Sequence, residues 1–142
     1  MHRVIELLRS KGDVVHTTTL DATILAAAQK MNEHRIGALV VTEGGRIAGI
    51  ITERDMLTRV IAAQRDPATV RVADVMTREV HTCCPDTDLA ELRGVMRERR
   101  IRHVPVVTDH RLAGMVSMGD LNGAETRNLA QTIGFLEAYI SG

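Results

Sequence analysis

The apolar positions change period in a fixed order along the chain. Residues 14–17 read as a short strand, and residues 21–32 carry Ile24, Leu25, Ala28 and Met31 at i, i+1, i+4 and i+7, the stripe of an amphipathic helix. Residues 38–42 form a solid apolar run, as a strand covered on both faces should. In Glu43-Gly44-Gly45-Arg46 two glycines can take positive φ, which predicts a hairpin with residues 47–52 as the returning strand. A helix then runs from Glu53 to about Gln64, where Asp66-Pro67 stops it, and residues 68–78 form a connector.

The same order then repeats. Residues 80–83 predict a strand, 88–99 a helix, 103–108 a strand, Asp109-His110 a turn, 112–117 a strand, and a helix follows. At an offset of 65 residues, Val15-His16-Thr17 falls on Val80-His81-Thr82, Met31 on Met96, Arg35-Ile36 on Arg100-Ile101, Gly49 on Gly114 and Asp55 on Asp120 without a gap. A unit of about 45 to 50 residues is too small to close its own core, so the two copies should pack on each other with pseudo-twofold symmetry. The expected fold is α/β (α+β), with two β-α-β-β-α repeats packed sheet to sheet. Two amphipathic segments flank them, residues 4–11 and a stripe of Leu129, Ile133, Leu136 and Ile140. These either cap the chain's own core or build a dimer. The organisation predicted is an N-terminal helix (1–13), a first copy (14–65), a connector (66–78), a second copy (79–127) and a C-terminal helix (128–142).

Composition narrows the function. Eighteen Lys plus Arg balance 18 Asp plus Glu, which argues against a binder of nucleic-acid polymers, whose affinity rests on accumulated positive charge. With no Trp, one Phe and one Tyr there are no stacking platforms for single strands either. No apolar run approaches a membrane span, and the N-terminus lacks the h-region of a signal peptide, so a cytoplasmic protein without membrane partners is expected. Cys83 and Cys84 are adjacent and cannot staple distant segments, which fits a reducing compartment.

The candidate chemistry lies at one junction that occurs twice. Gly49-Ile50-Ile51-Thr52-Glu53-Arg54-Asp55 and Gly114-Met115-Val116-Ser117-Met118-Gly119-Asp120 each place a hydroxyl three residues before an Asp, where strand becomes helix. One reading is a capping box with Thr52 or Ser117 as N-cap. The other is a ligand site: free N–H groups at a helix start suit a phosphate or sugar, and the carboxylate can accept from a ribose diol.

The repeated order, this phrase, Arg102-His103-Val104-Pro105-Val106-Val107 and Val72-Ala73-Asp74-Val75-Met76-Thr77 together resemble a tandem pair of cystathionine-β-synthase-type (CBS) domains. The resemblance implies a regulatory module binding an adenosine-containing ligand (AMP, ADP, ATP, NAD or S-adenosylmethionine) in clefts between the repeats, and commonly a homodimer. It implies ribose-binding acids at Asp55 and Asp120, hydroxyls at Thr52 and Ser117, and adenine walls at Ile36-Gly37-Ala38 in one cleft and His103-Val104-Pro105 in the other. Arg102 and His103 are the residues it turns toward ligand phosphates, in the second cleft, with Arg54 a further candidate. Pro105 either removes a ladder donor, so that pairing is irregular there and backbone groups are free for an adenine edge, or is simply an edge-strand proline. The first copy departs from the pattern, with Val40 in the place of Pro105.

No Walker-type loop, G-x-S-x-G, H-E-x-x-H or G-x-G-x-x-G occurs, so no enzyme is expected, and a bound nucleotide would be a regulatory ligand and not a cofactor. His81-Thr82-Cys83-Cys84 lacks the number and spacing of ligands that a metal site needs. The leading expectation is a metabolite sensor. The alternative is a scaffold or partner-binding module with vestigial clefts, acting on an unidentified regulated protein.

Overall fold

A computed structural model describes residues 1–141. Its elements are α1 (Val4–Lys11), β1 (Thr17–Thr18), α2 (Ile24–His34), β2 (Ala38–Glu43), β3 (Arg46–Thr52), α3 (Glu53–Met56), α4 (Val72–Val75), α5 (Leu89–Arg99), β4 (His103–Thr108), β5 (Arg111–Ser117) and α6 (Met118–Ser141). The two copies form two small sheets, β1-β2-β3 and β4-β5, which approach each other along β3 and β5.

Local chemistry accounts for most boundaries. Thr23 caps α2 by accepting from the Ala26 N–H, and Asp88 caps α5 by accepting from the Ala90 N–H. Each of these helices ends on an arginine in the left-handed conformation, Arg35 at φ 54° and Arg100 at φ 56°. Both hairpin turns also use two left-handed residues, Gly44 and Gly45 in one and Asp109 and His110 in the other, which matches the twist of the flanking strands.

Each copy has its own hydrophobic core, and each is completed by a segment that precedes the other copy. Val70, Val72, Val75 and Met76 of the connector pack with Ile24, Leu39, Val41 and Ile51 of the first copy. Val4, Leu7 and Leu8 of α1 pack with Leu92, Met96, Val104, Val106 and Val116 of the second. The N-terminal helix is thus an integral part of the second copy's core.

Five elements differ from the sequence reading. The strand expected over 14–17 is the two-residue β1, Thr17–Thr18. The helix expected over 53–64 is α-helical only to Met56 and continues as a π-helical turn, Leu57–Ile61. The helix after Ser117 and the C-terminal segment are one continuous helix, α6, whose far half stands clear of both cores with Leu129, Ile133, Leu136 and Ile140 exposed. The strand expected over 80–83 shrinks to a single parallel bridge from Cys83 to Val106. Finally, β4 keeps regular register through Pro105 opposite Met115, and its irregularity falls between Val106 and Val107. The first hairpin shifts at the matching place, Val41/Thr42, with no proline present, so the bulge belongs to the repeat and not to Pro105.

Candidate functional site

Both hydroxyl–acid phrases fold as capping boxes. Thr52 Oγ1 accepts from the Asp55 N–H at 3.2 Å while Asp55 Oδ2 accepts from the Thr52 N–H at 3.0 Å. Ser117 Oγ accepts from the Asp120 N–H at 3.1 Å and Asp120 Oδ2 from the Ser117 N–H at 2.8 Å. Capping and ligand binding are compatible, because a carboxylate has about four acceptor sites and the box uses one.

The two acids differ in what else they meet. Asp55 is buried; the Thr77 hydroxyl donates to it, 3.2 Å from Oδ1 and 3.4 Å from Oδ2. Arg59 Nε stands 4.0 Å from Oδ1, its guanidinium committed to the carbonyls of Val75 and Met76. Asp120 is met instead by the Lys11 ammonium, 2.7 Å from Oδ2, and the same ammonium donates to the Met115 carbonyl at 2.6 Å. Burial pushes the Asp120 carboxyl up, but the Lys11 ammonium and the Ser117 N–H and hydroxyl outweigh it and hold it below the ordinary carboxylate value.

Two cavities lie between the copies. The first, about 650 Å³, joins Thr52, Arg54 and Asp55 of the first copy to Arg100, Arg102 and His103 of the second, with Thr77 and His81 closing it. The second, about 670 Å³, joins Ile36 and Gly37 of the first copy to Ser117 and Gly119 of the second, and shares Glu53, Arg102 and His103 with the first. Both volumes lie within the 300–1,000 Å³ range of small-molecule sites.

The basic strand entrance borders both cavities, one of which also holds the acid of the other copy. Arg102 and His103, expected to serve the second cleft, line it and also share the first cavity with Asp55; Asp120 lines neither cavity, but its charge acts on the His103 ring. Such crossing follows from how the repeats pack, which no spacing within one repeat encodes. Burial pushes the half-buried His103 imidazole below its ordinary value; Glu53 opposes this and Arg102 reinforces it, leaving a neutral ring at pH 7.

Three expected wall residues lie elsewhere. Ala38 and Val104 are buried on the core-facing strands at 5% and 1% exposure, and Pro105 is buried beside Val104 and borders neither cavity. Residues 38–41 and 104–106 are buried within their strands, so only the residues before them reach the clefts. The sequence reading assigned no role to Glu53, Thr77 or Lys11. Glu53 directly follows the hydroxyl of the phrase and Thr77 ends a quoted motif, whereas Lys11 lies outside the repeats and carried no signal. Among the described residues no group of three or more His, Cys, Asp or Glu is placed to hold a metal ion.

The geometry has relatives. The CBS domain family matches residues 4–62 and again 72–125. The CBS domain-containing protein CBSX3, mitochondrial, of Arabidopsis thaliana is 36% identical over 148 residues, covering 98% of this chain and 72% of its own. The crystal structure of a CBS-domain containing protein from Agrobacterium tumefaciens superposes with a TM-score of 0.83 at 39% identity, covering 87% of this chain and 93% of that one. A CBS domain protein from Pyrobaculum aerophilum, complexed with AMP, superposes with a TM-score of 0.74 at 27% identity, covering 83% of this chain and 88% of that one.

Proposed function

The chain belongs to the CBS domain family and carries a tandem pair of its domains, and from that premise we propose that it is a non-catalytic regulatory module binding an adenosine-containing ligand in the cleft at Asp55. The supporting observation is the first cavity, where an acid on a helix start, two arginines and a neutral imidazole from the other copy surround a space of nucleotide size. In this reading the Asp55 carboxylate accepts from the ribose hydroxyls in place of Thr77. Arg102, His103 and Arg54 meet the phosphate, and the base lies along the aliphatic wall of Ile50 and Ile101. A relative of this fold complexed with AMP supports the ligand class. Binding would bridge the two copies and so shift the stability and geometry of the pair.

The module works as a homodimer, for which the exposed apolar stripe of α6 is the available surface. It resides in a reducing compartment, the cytoplasm, consistent with the free Cys83 and Cys84. Among the described residues no helix is long and apolar enough to cross a membrane.

Thermal melting with AMP, ADP, ATP, NAD and S-adenosylmethionine tests the reading. A ligand at about 100 times its Kd stabilises by roughly 2.7 kcal/mol. Asp55→Ala should remove that response, while a flat response to the whole panel would favour the scaffold reading, in which the capping boxes are the acids' only work.

A further inference from the structure

The two cleft acids look alike in sequence and are held unlike in space, and we propose that Lys11 closes the second cleft to the sugar of a nucleotide. The chain would then take one adenosine-containing ligand, at Asp55, and a second only when Lys11 lets go of Asp120. This rests on the reading of the clefts given above.

At Asp55 the extra partner is the Thr77 hydroxyl, at 3.2 and 3.4 Å. A ribose hydroxyl replaces it like for like, so the exchange costs little. At Asp120 the partner is an ammonium at 2.7 Å, which also donates to the Met115 carbonyl. Bonds to a carboxylate are charge-assisted at both acids, but only at Asp120 is the donor itself a cation, and a sugar hydroxyl brings no charge to replace the one displaced. The surroundings agree: Asp55 borders the first cavity, whereas in the second cavity Ser117, Met118 and Gly119 are on the wall and Asp120 is not.

Lys11 is held there by the rest of its helix. Val4, Leu7 and Leu8 lie on the same face of α1 as Lys11 and are buried in the second copy's core, so Lys11, one turn beyond them, is presented to β5 and to the start of α6. Gly12, at φ +100° with open space around it, ends the helix directly after the lysine. Lys11 continues the buried face but is not itself part of the core, so its side chain can leave Asp120 while Val4, Leu7 and Leu8 stay packed. Occupancy of the second cleft is in this way tied to the N-terminal segment, and occupancy of the first is not.

The experiment is calorimetric titration of the full chain with AMP. The wild type should bind one AMP per chain, and Lys11→Ala should bind two, the added site vanishing in Lys11→Ala/Asp120→Ala. Lys11→Arg, which keeps the charge, should stay at one. If Lys11→Ala binds AMP with the stoichiometry and affinity of the wild type, the gate is disproved while the Asp55 reading stands. If neither the wild type nor Lys11→Ala binds AMP or any other member of the panel, both readings fall. A wild type that already binds two per chain overturns the gate alone.

Discussion

Val40 and Pro105 occupy the same place in the two copies, and only Val40 has an N–H to give the first strand. That N–H donates to the His16 carbonyl at 3.3 Å and helps hold β1 against β2. In the second copy the flanking bonds survive, from the Cys83 N–H to the Pro105 carbonyl at 3.0 Å and from the Val107 N–H to the Cys83 carbonyl at 2.8 Å. The bond that would reach His81 is missing, so the third strand there is a single bridge. A proline at residue 40 should therefore strip β1 from the first sheet and cost about 1–3 kcal/mol in urea unfolding. Pro105→Val should give residue 105 an amide that exchanges slowly with deuterium. Rapid exchange at that amide would show that the proline is not what shortens the strand.

Two equivalent glycines make a second contrast. A Cβ on Gly49 would lie 2.7 Å from the Thr77 carbonyl oxygen and 2.8 Å from Met76 Sδ, against connector backbone that is itself bonded to Ile50. A Cβ on Gly114 would lie 2.8 and 2.9 Å from the two Cδ atoms of Leu8, the far end of a flexible side chain. Gly49→Ala should cost about 1–3 kcal/mol by overpacking, and Gly114→Ala distinctly less, because Leu8 can change rotamer. Equal shifts in melting temperature would contradict this assignment.

What could be read from the chain is what short-range chemistry decides. The capping boxes, the hairpins at Gly44-Gly45 and Asp109-His110 and the amphipathic faces of α2 and α5 each depend on residues within a few positions of one another. The sites could be read only in part. Thr52, Asp55 and Ser117 follow from the repeat and Gly37 from the family resemblance, but that Arg102 and His103 share a cavity with Asp55 depends on the angle at which two copies pack. Lys11 escaped notice because its partner is 109 residues away and its helix reads only as an amphipathic flank. Pro105 was legible as a missing donor, yet the strand that would miss it could not be identified without the register.

The exposed half of α6 gives a third prediction. Leu129, Ile133, Leu136 and Ile140 follow the 4-3-4 spacing of a two-stranded coiled-coil seam and stand 60%, 47%, 57% and 82% exposed. Neither core includes them. Removing residues 129–142 should leave both cores folded, because Asn128, which bonds the Met1 amine and carbonyl, is retained, and should lower the melting temperature only by what dimerisation contributed at that concentration. Light scattering should give the full chain twice its 15.6 kDa and the shortened chain only the mass of one shortened chain. A full chain that scatters as a monomer would remove the dimer, and a shortened chain that stays dimeric would move the interface elsewhere.

His103 makes ligand binding pH-dependent in a stated direction. Burial, aided by Arg102 and opposed by Glu53, holds its imidazole below the ordinary 6.5, so the free protein carries it neutral at pH 7. The unfolded chain then binds more protons than the folded one near pH 6, and this residue's contribution to stability is lost as pH falls through the folded value. A phosphate dianion beside the ring reverses the preference, raising the imidazole in the complex. AMP affinity should accordingly rise by a factor of about 2 to 5 between pH 7.5 and 6, with proton uptake visible as a dependence of the calorimetric heat on buffer ionisation. The AMP phosphate itself titrates near pH 6, so His103→Gln is the reference, and the difference between the two proteins isolates the imidazole. Identical pH profiles for wild type and His103→Gln would remove His103 from the phosphate site.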